Sequence, residues 1–403
     1  IPRELYYDTH PEYFAMRRSG KRIPRNTRYS RLAINMVHPA VKRIAAERTL
    51  TWMGMQPQRR FFYVSSSDAR LCKGPHSRAV DLQYHYMTDR LLRWVNYVAE
   101  RVASKHPEKR VLTLAYIETV KPPVEIKPAD NVWMMYCPWY WDSRNVPYAD
   151  WDHPGNIVAK EEILDWLLCC PNQVGVFDYP GIRIAWVDGQ ANRLKFFARQ
   201  GIRAVQCDGA PLTFEDLFHY VNSRLLWDPT LDTRQLEDEF LAAYYGPAAG
   251  PAVRDYLRLH REHHGIFAGK PAVLAEAFRG LERCEQAAAR GDAEVLHRTR
   301  HTVANWIGWL LGRRHQELRD AVRDPQQAVT EAEVAAYARQ VRAQLGRLQA
   351  LLEGAKKLEY PVYRARNYNR HVADLLKTCG VTWNDDKLYE KVYKAQGEDL
   401  AAL

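Results

Sequence analysis

Four acidic residues recur at the same kind of place along this chain. Asp68, Glu118, Asp178 and Asp208 each fall at or near the end of a short apolar run: FFYVSSSD (61–68), VLTLAYIE (111–118), QVGVFDY (173–179) and RAVQCD (203–208). Carboxylates held at strand ends in one cleft suit proton transfer, and a pair of them is the usual means of breaking a glycosidic bond. Glu118, with Tyr116 two residues earlier on the same strand face, suits protonation of a glycosidic oxygen. Asp68 would orient a substrate or polarise a group on it. Asp178, with Tyr179 beside it, and Asp208, with Gly209 permitting a tight turn, are the candidates for a second carboxylate. Each has a plainer structural alternative: a turn or N-cap aspartate, or for Glu118 an ion pair with Lys121.

A fifth run, VWMMYCPW (132–139), leads into a loop carrying Trp139, Tyr140, Trp141, Tyr148 and Trp151, interleaved with Asp142, Ser143, Arg144, Asn145 and Asp150. Broad, stiff aromatic rings stack on the C–H faces of sugars, and the interleaved polar residues argue against a purely internal role. The loop is therefore expected to be a sugar platform.

Other chemistries find less support. His38, His76 and His153 lie near run ends, but no HExxH motif and no His–carboxylate set with metal-ligand spacing accompanies them. They read as hydrogen-bonding or surface groups, and neither a metal nor a cofactor is expected. No serine sits in a GxSxG elbow, and no glycine-rich phosphate loop follows any run. The seven cysteines (72, 137, 169, 170, 207, 284, 379) form no CxxC pair and read mostly as small buried apolar groups. The formal charge of +10 is spread along helices, without the dense basic run or recognisable module of a nucleic-acid binder. No apolar stretch reaches the roughly 18 residues of a membrane span. The opening IPRELYYDTHPEY carries neither Met nor a charged-then-apolar leader, and reads as a chain already cut.

The elements that must position these groups are legible. Continuous apolar runs bounded by turn residues, alternating with helical stretches, predict parallel strands covered by helices. A sixth run, RLAINMVH (31–38), is expected to precede the others. Helical periodicity marks 41–53, about 77–107, 160–168, 188–201 and 213–229, with Gly201 where a helix C-cap belongs. In a barrel of this kind, active-site groups gather at the C-terminal ends of the strands. Six strand–helix units fall short of the eight that a closed barrel needs, and the shortfall is placed at the N-terminus. An open doubly wound sheet is the rival architecture. After Tyr244-Tyr245-Gly246-Pro247 the composition turns rich in Ala, Leu, Arg and Glu, predicting three or four long helices and then a mixed aromatic tail. The expectation is an N-terminally incomplete (β/α)8 barrel of the TIM type over 1–250 and an α-helical domain over 251–403.

The motifs also resemble a family. THPEYFAMRRSGKR (9–22), AINMVHPAVKRIAAERTL (33–50), FFYVSSSDARLC (61–72), VNYVAERVASKHPEKRVLTLAYIETVKPP (95–123), NVWMMYCPW (131–139), ANRLKFFARQGIRAVQCDG (191–209) and LLWDPTLDTRQLEDEFLAAYYGPAA (225–249) look, in that order, like the bacterial domain of unknown function 4838. The resemblance implies a glycoside-hydrolase-like (β/α)8 barrel, usually preceded by a small α/β domain like that of family 20 hexosaminidases. Relatives include the endo-β-N-acetylglucosaminidases of glycoside hydrolase family 163, which act on complex N-glycans, and others compared with α-glucuronidases. It therefore implies an oligosaccharide or glycan partner and an extracytoplasmic address, secreted or periplasmic. Three positions depart from the pattern. The family shows Asn-Asp where this chain has Ser67-Asp68, Glu-Glu-Gly where it has Cys207-Asp208-Gly209, and an aromatic where it has Glu118. The expected activity is glycoside hydrolysis; if the substrate is an N-acetylhexosamine, its acetamido group could serve as nucleophile, supported by Asp68 or Asp208. The alternatives are a non-catalytic glycan-binding relative and a helical interaction protein with a vestigial barrel.

Overall fold

The computed structural model describes residues 1–16, 19–27, 32–66, 87–138, 153–179, 187–207, 214–263 and 271–323, with residues 343 and 347. They divide into two compact units, one of residues 1–210 with 225–230 and the other of 211–224 with 231–403.

Five of the expected runs are strands of a single sheet: β1 Phe61–Tyr63, β2 Arg110–Ala115, β3 Val132–Tyr136, β4 Val174–Asp178 and β5 Val205–Cys207. They pair in sequence order and every pairing is parallel. The run 31–38 is not a sixth strand of this sheet. It makes an isolated antiparallel bridge, Phe14↔Ile34, through Ala15 N to Ala33 O (2.9 Å) and Asn35 N to Tyr13 O (2.8 Å). Its apolar residues are used against Tyr13, Phe14 and Val41, so hydrophobicity alone misassigned it.

Between the strands come α2 Pro39–Met55, α3 Met87–Lys105, α4 Pro154–Cys169 and α5 Val187–Arg199, following a short N-terminal α1, Arg3–Tyr6. Two of these helices start on the same device. His38 and His153 each precede a proline, which holds them in extended backbone (ψ 127° and 135°), and each Nδ1 accepts the N–H of the residue two on, Ala40 and Gly155. The hydrogen-bonding role expected of these histidines is thus a helix cap; His76 lies outside the described residues. At the far end of α5, Gly201 adopts φ +80°, and Gly201 N to Ala198 O with Ile202 N to Phe197 O closes a Schellman cap.

Residue parity around the sheet is continuous. Phe62, Val111, Val132, Met134, Val174 and Val176 face one way and are at most 2% exposed, because α3, α4 and α5 lie over them. On the other face stand Tyr63, Leu112, Trp133, Met135, Gly175, Phe177 and Gln206, several only partly buried. That face is concave. Tyr63 on the first strand donates a hydrogen bond to Gln206 Oε1 on the last at 2.6 Å. In a flat sheet four spacings of about 4.8 Å would hold those strands about 19 Å apart. Tyr and Gln side chains with the bond between them span only about 14 Å by ordinary bond lengths. The sheet is therefore curled into a half-barrel. At its N-terminal edge the buried Lys109 ammonium donates to Pro57 O (3.0 Å) and Arg59 O (2.9 Å), tying the end of α2 to β1 and β2.

The second unit is mainly helical among its described residues. After α6 Glu215–Trp227, which straddles the division between the units, it contains α7 Thr233–Glu262, α8 Pro271–Ala288 and α9 Ala293–Arg323, which pack on one another. The composition change noted at 244–247 is a kink inside α7: Gly246 has φ 65° and ψ −176°, a conformation reserved for glycine, and Pro247 restarts the helix. Residue 250, the expected domain boundary, lies within this helix. His260, Tyr256, Trp306 and Trp309 form its aromatic core.

Candidate active site

The C-terminal ends of β1 to β5 form one rim, and each strand delivers its last side chains there differently. At the end of β2, Tyr116 leads into a single 3-10 turn, Ile117–Thr119, that carries Glu118. Ile117 has φ 50°. For a β-branched residue that conformation costs on the order of 1–3 kcal/mol and persists only where neighbours over-determine it. The neighbours are present. Thr119 Oγ1 accepts Tyr116 N (3.1 Å) and lies within hydrogen-bond distance of Tyr116 O (3.1 Å), and the buried Trp166 indole donates to Val120 O at 2.7 Å. Glu118 is partly buried, with its Oε1 shielded from solvent. The sequence thus located a carboxylate at a strand end, and the structure puts it in a constrained turn.

Asp178 ends β4 but has the parity of Val174 and Val176, facing α5. It is 1% exposed. Its carboxylate accepts Tyr179 N (2.9 Å) and Gln190 Nε2 (3.1 Å) and pairs with Arg193 Nη1 at 2.9 Å, while Arg193 Nη2 donates to Gln190 Oε1. Gln190 and Arg193 sit on the apolar stripe of α5 with Leu194 and Phe197, all buried. Two polar side chains on such a stripe need an internal partner, and Asp178 is that partner. The carboxylate expected as a candidate for the second catalytic group is thus engaged by α5.

Tyr179 has the opposite parity and joins the concave face. It is 7% exposed, packs on Phe177 and hydrogen-bonds the thiol of Cys137. Burial pushes that thiol up to about 12, although the Tyr179 contact acts the other way. Tyr63 is likewise raised to about 12, first by burial and then by the neighbouring Cys137. Both groups are neutral at ordinary pH, so this layer of the half-barrel is polar but uncharged, with its groups bonded to one another: Tyr63 to Gln206, Tyr179 to Cys137, and the Cys137 thiol to Met135 O. None was singled out by the sequence except Tyr179. The signal was available in strand parity, since each lies an even number of residues from a neighbour on the concave face.

On the outer face, Tyr136 donates to Glu162 Oε2 at 2.7 Å. Burial raises the Glu162 carboxyl above its usual range, while the Tyr136 hydrogen bond and Lys121 pull it back in part. This second carboxylate, on α4, is buried under the helix layer and faces away from the concave side.

The remaining candidates, Asp68, Asp208, Trp139, Tyr140 and Trp141, and the rest of the 139–152 loop, lie outside the described residues. Among the described residues, no cluster of His, Cys, Asp and Glu is arranged to hold a metal, and no helix is long and apolar enough to cross a membrane. The described cysteines, 137, 169, 170, 207 and 284, are free thiols. No curated protein and no solved structure matches the chain. A family match covers residues 1–258, from the N-terminal segment through all five strands and most of α7. The chain belongs to the family described as Domain of unknown function (DUF4838).

Proposed function

We propose that the first unit is half of a (β/α)8 barrel and that the protein is a glycoside hydrolase acting on a complex glycan. The curvature supports the barrel. Eight strands give an interior that side chains just fill, and half of such a circle, of contour about 19 Å, has a chord of roughly 12–15 Å depending on strand tilt. The Tyr63–Gln206 bond spans that distance. In this reading Glu118 or Asp208 is the general acid, and Asp68 orients the substrate. If the sugar is an N-acetylhexosamine, Asp68 or Asp208 supports its acetamido group. Tyr116, Tyr179 and the aromatic loop, with Trp139, Tyr140 and Trp141, contact the sugar. Asp178 is left to structure.

The observation that carries the proposal is Glu118, set in a constrained turn at the C-terminal end of a curled parallel sheet, where enzymes of this architecture place their chemistry. The test is release of reducing ends from a panel of N-glycans and uronic-acid oligosaccharides by the whole chain. Glu118→Gln should lower release by about 10²–10⁴-fold, the usual contribution of a general acid, while sparing glycan binding. Full activity in this variant would move the acid role to Asp208. Binding without release by the unaltered protein would favour a non-catalytic glycan-binding relative, a reading strengthened by the diversion of Asp178 into a buried ion pair.

A further inference from the structure

We propose that Asp89 is a positioning residue for Glu118, acting by holding the chain that follows it; this rests on the catalytic role proposed for Glu118. Asp89 lies in the first turn of α3 and is 1% exposed. Its Oδ1 accepts the backbone N–H groups of Glu125 and Ile126, both at 2.8 Å, and its Oδ2 accepts that of Val124 at 3.2 Å. Three successive N–H groups converge on one carboxylate, the kind of concavity that ordinarily takes an anion. Hydrogen bonds to an ionised acceptor are the strong ones, so one side chain here fixes three residues of main chain.

The neighbours act on the same segment. Thr88 Oγ1 donates to Lys121 O at 2.7 Å, and Trp166 Nε1 to Val120 O at 2.7 Å. Asn96, two helical turns beyond Asp89, donates to Lys127 O (2.8 Å) and accepts Ala129 N (3.0 Å). The path from 120 to 129 is therefore stitched to α3 and α4 by four side chains, while Thr119 holds the turn on the other side of Glu118. What Asp89 holds is not core. Val124 is 66% exposed and Glu125 is also exposed, so this segment has little apolar burial to keep it in place, and such segments open locally when their polar anchors go. The left-handed Ile117 gives the clamp a purpose: released, residues 117–119 would relax toward an ordinary conformation and carry Glu118 with them.

Asp89→Asn keeps the shape but sets an amide NH2 against the N–H groups. Hydrogen exchange on the whole chain should show residues 117–127 losing protection roughly tenfold or more, with α3 and β3 unchanged. On the glycan that the wild type cleaves, kcat should fall at least about tenfold with KM within about twofold, and the double variant with Glu118→Gln should be no slower than Glu118→Gln alone. Loss of protection spread through α3 and β2, or no change in 117–127, would overturn the proposal. So would a kinetic effect fully additive with that of Glu118→Gln. If the wild type cleaves nothing in the panel, the hydrolase reading fails by itself and the exchange pattern still decides whether the clamp exists. Should Asp89→Asn fail to fold, Thr88→Val removes one anchor of the same segment and must show the same localised exchange, in smaller measure.

Discussion

Replacing Asp178 with Ala separates a structural carboxylate from a substrate-binding one. Arg193 is 0% exposed and Gln190 2%, so the variant takes the Asp178 carboxylate away from a guanidinium held inside the protein. Removing one partner of a buried pair costs about 3–5 kcal/mol, most of it the stranded charge. The carboxylate also accepts Tyr179 N and Gln190 Nε2, which places the loss toward the upper end of that range. For a unit of this size each kcal/mol moves Tm by about 2–4 °C, so a fall of roughly 6–20 °C is expected. Because the chain has two units, calorimetry is the assay of choice, and only the transition of the first unit should move. The double variant Asp178→Leu with Arg193→Met removes both charges at similar volume and should recover the part of the loss that is charge, since apolar replacement of a buried pair is often neutral, while the part due to Gln190, which loses both Asp178 and Arg193, remains. A single Asp178→Ala variant melting within about 3 °C of the wild type, a change worth about 1 kcal/mol, would refute the reasoning. If it also lost glycan binding, the carboxylate would belong to the cleft.

Two further predictions concern pH. Burial raises the Glu162 carboxyl from its ordinary 4.5, so the folded state prefers the protonated form and stability is lost as pH climbs through the raised value. Glu162→Gln, still able to accept the Tyr136 hydroxyl, should match the wild type near pH 4 and exceed it in urea denaturation by pH 7. His260 is shifted the other way, well below 6.5, first by burial and then by His263. Its contribution is present above 6.5 and is lost as pH falls below that value, at up to about 1.4 kcal/mol per pH unit. His260→Leu should flatten the acid limb of the second unit's melting curve, and an unchanged limb would count against it.

The fold was legible where period and composition agree. β1, β3 and β4 are apolar runs, and burial of their helix-facing residues at 0–2% exposure explains why no polar alternation interrupts them, whereas β2 carries a buried Thr113 and β5 an exposed Gln206. The sixth run failed because apolar content says that a segment is covered, not what covers it; 31–38 is covered by the N-terminal segment and α2. The kink at Gly246 was visible as a change of composition, but composition does not distinguish a domain boundary from a bend within one helix. The His-Pro caps could have been read directly, since proline dictates the backbone of the residue before it.

The site was legible by position along the chain and not by side-chain direction. Acidic residues at strand ends look alike in a sequence, yet a strand turns alternate side chains to opposite faces, and one residue of offset decides between cleft and helix layer. Asp178 and Tyr179 are the case in point: adjacent, equally placed at the end of β4, and committed to opposite faces. Parity would have sorted them, because Asp178 is in step with Val174 and Val176 whereas Tyr179 is in step with Gly175 and Phe177. For Glu118 parity is of no use, since Ile117 leaves the strand conformation one residue earlier. Its placement depends instead on Trp166 and, if the clamp acts as proposed, on Thr88 and Asp89, residues far off in the chain on helices whose other neighbours are ordinary core. Long-range polar anchors of this kind leave one trace in a sequence, a polar residue on a helical stripe that is otherwise apolar. Asp89 beside Leu91 and Leu92, and Arg193 beside Leu194, both carry it.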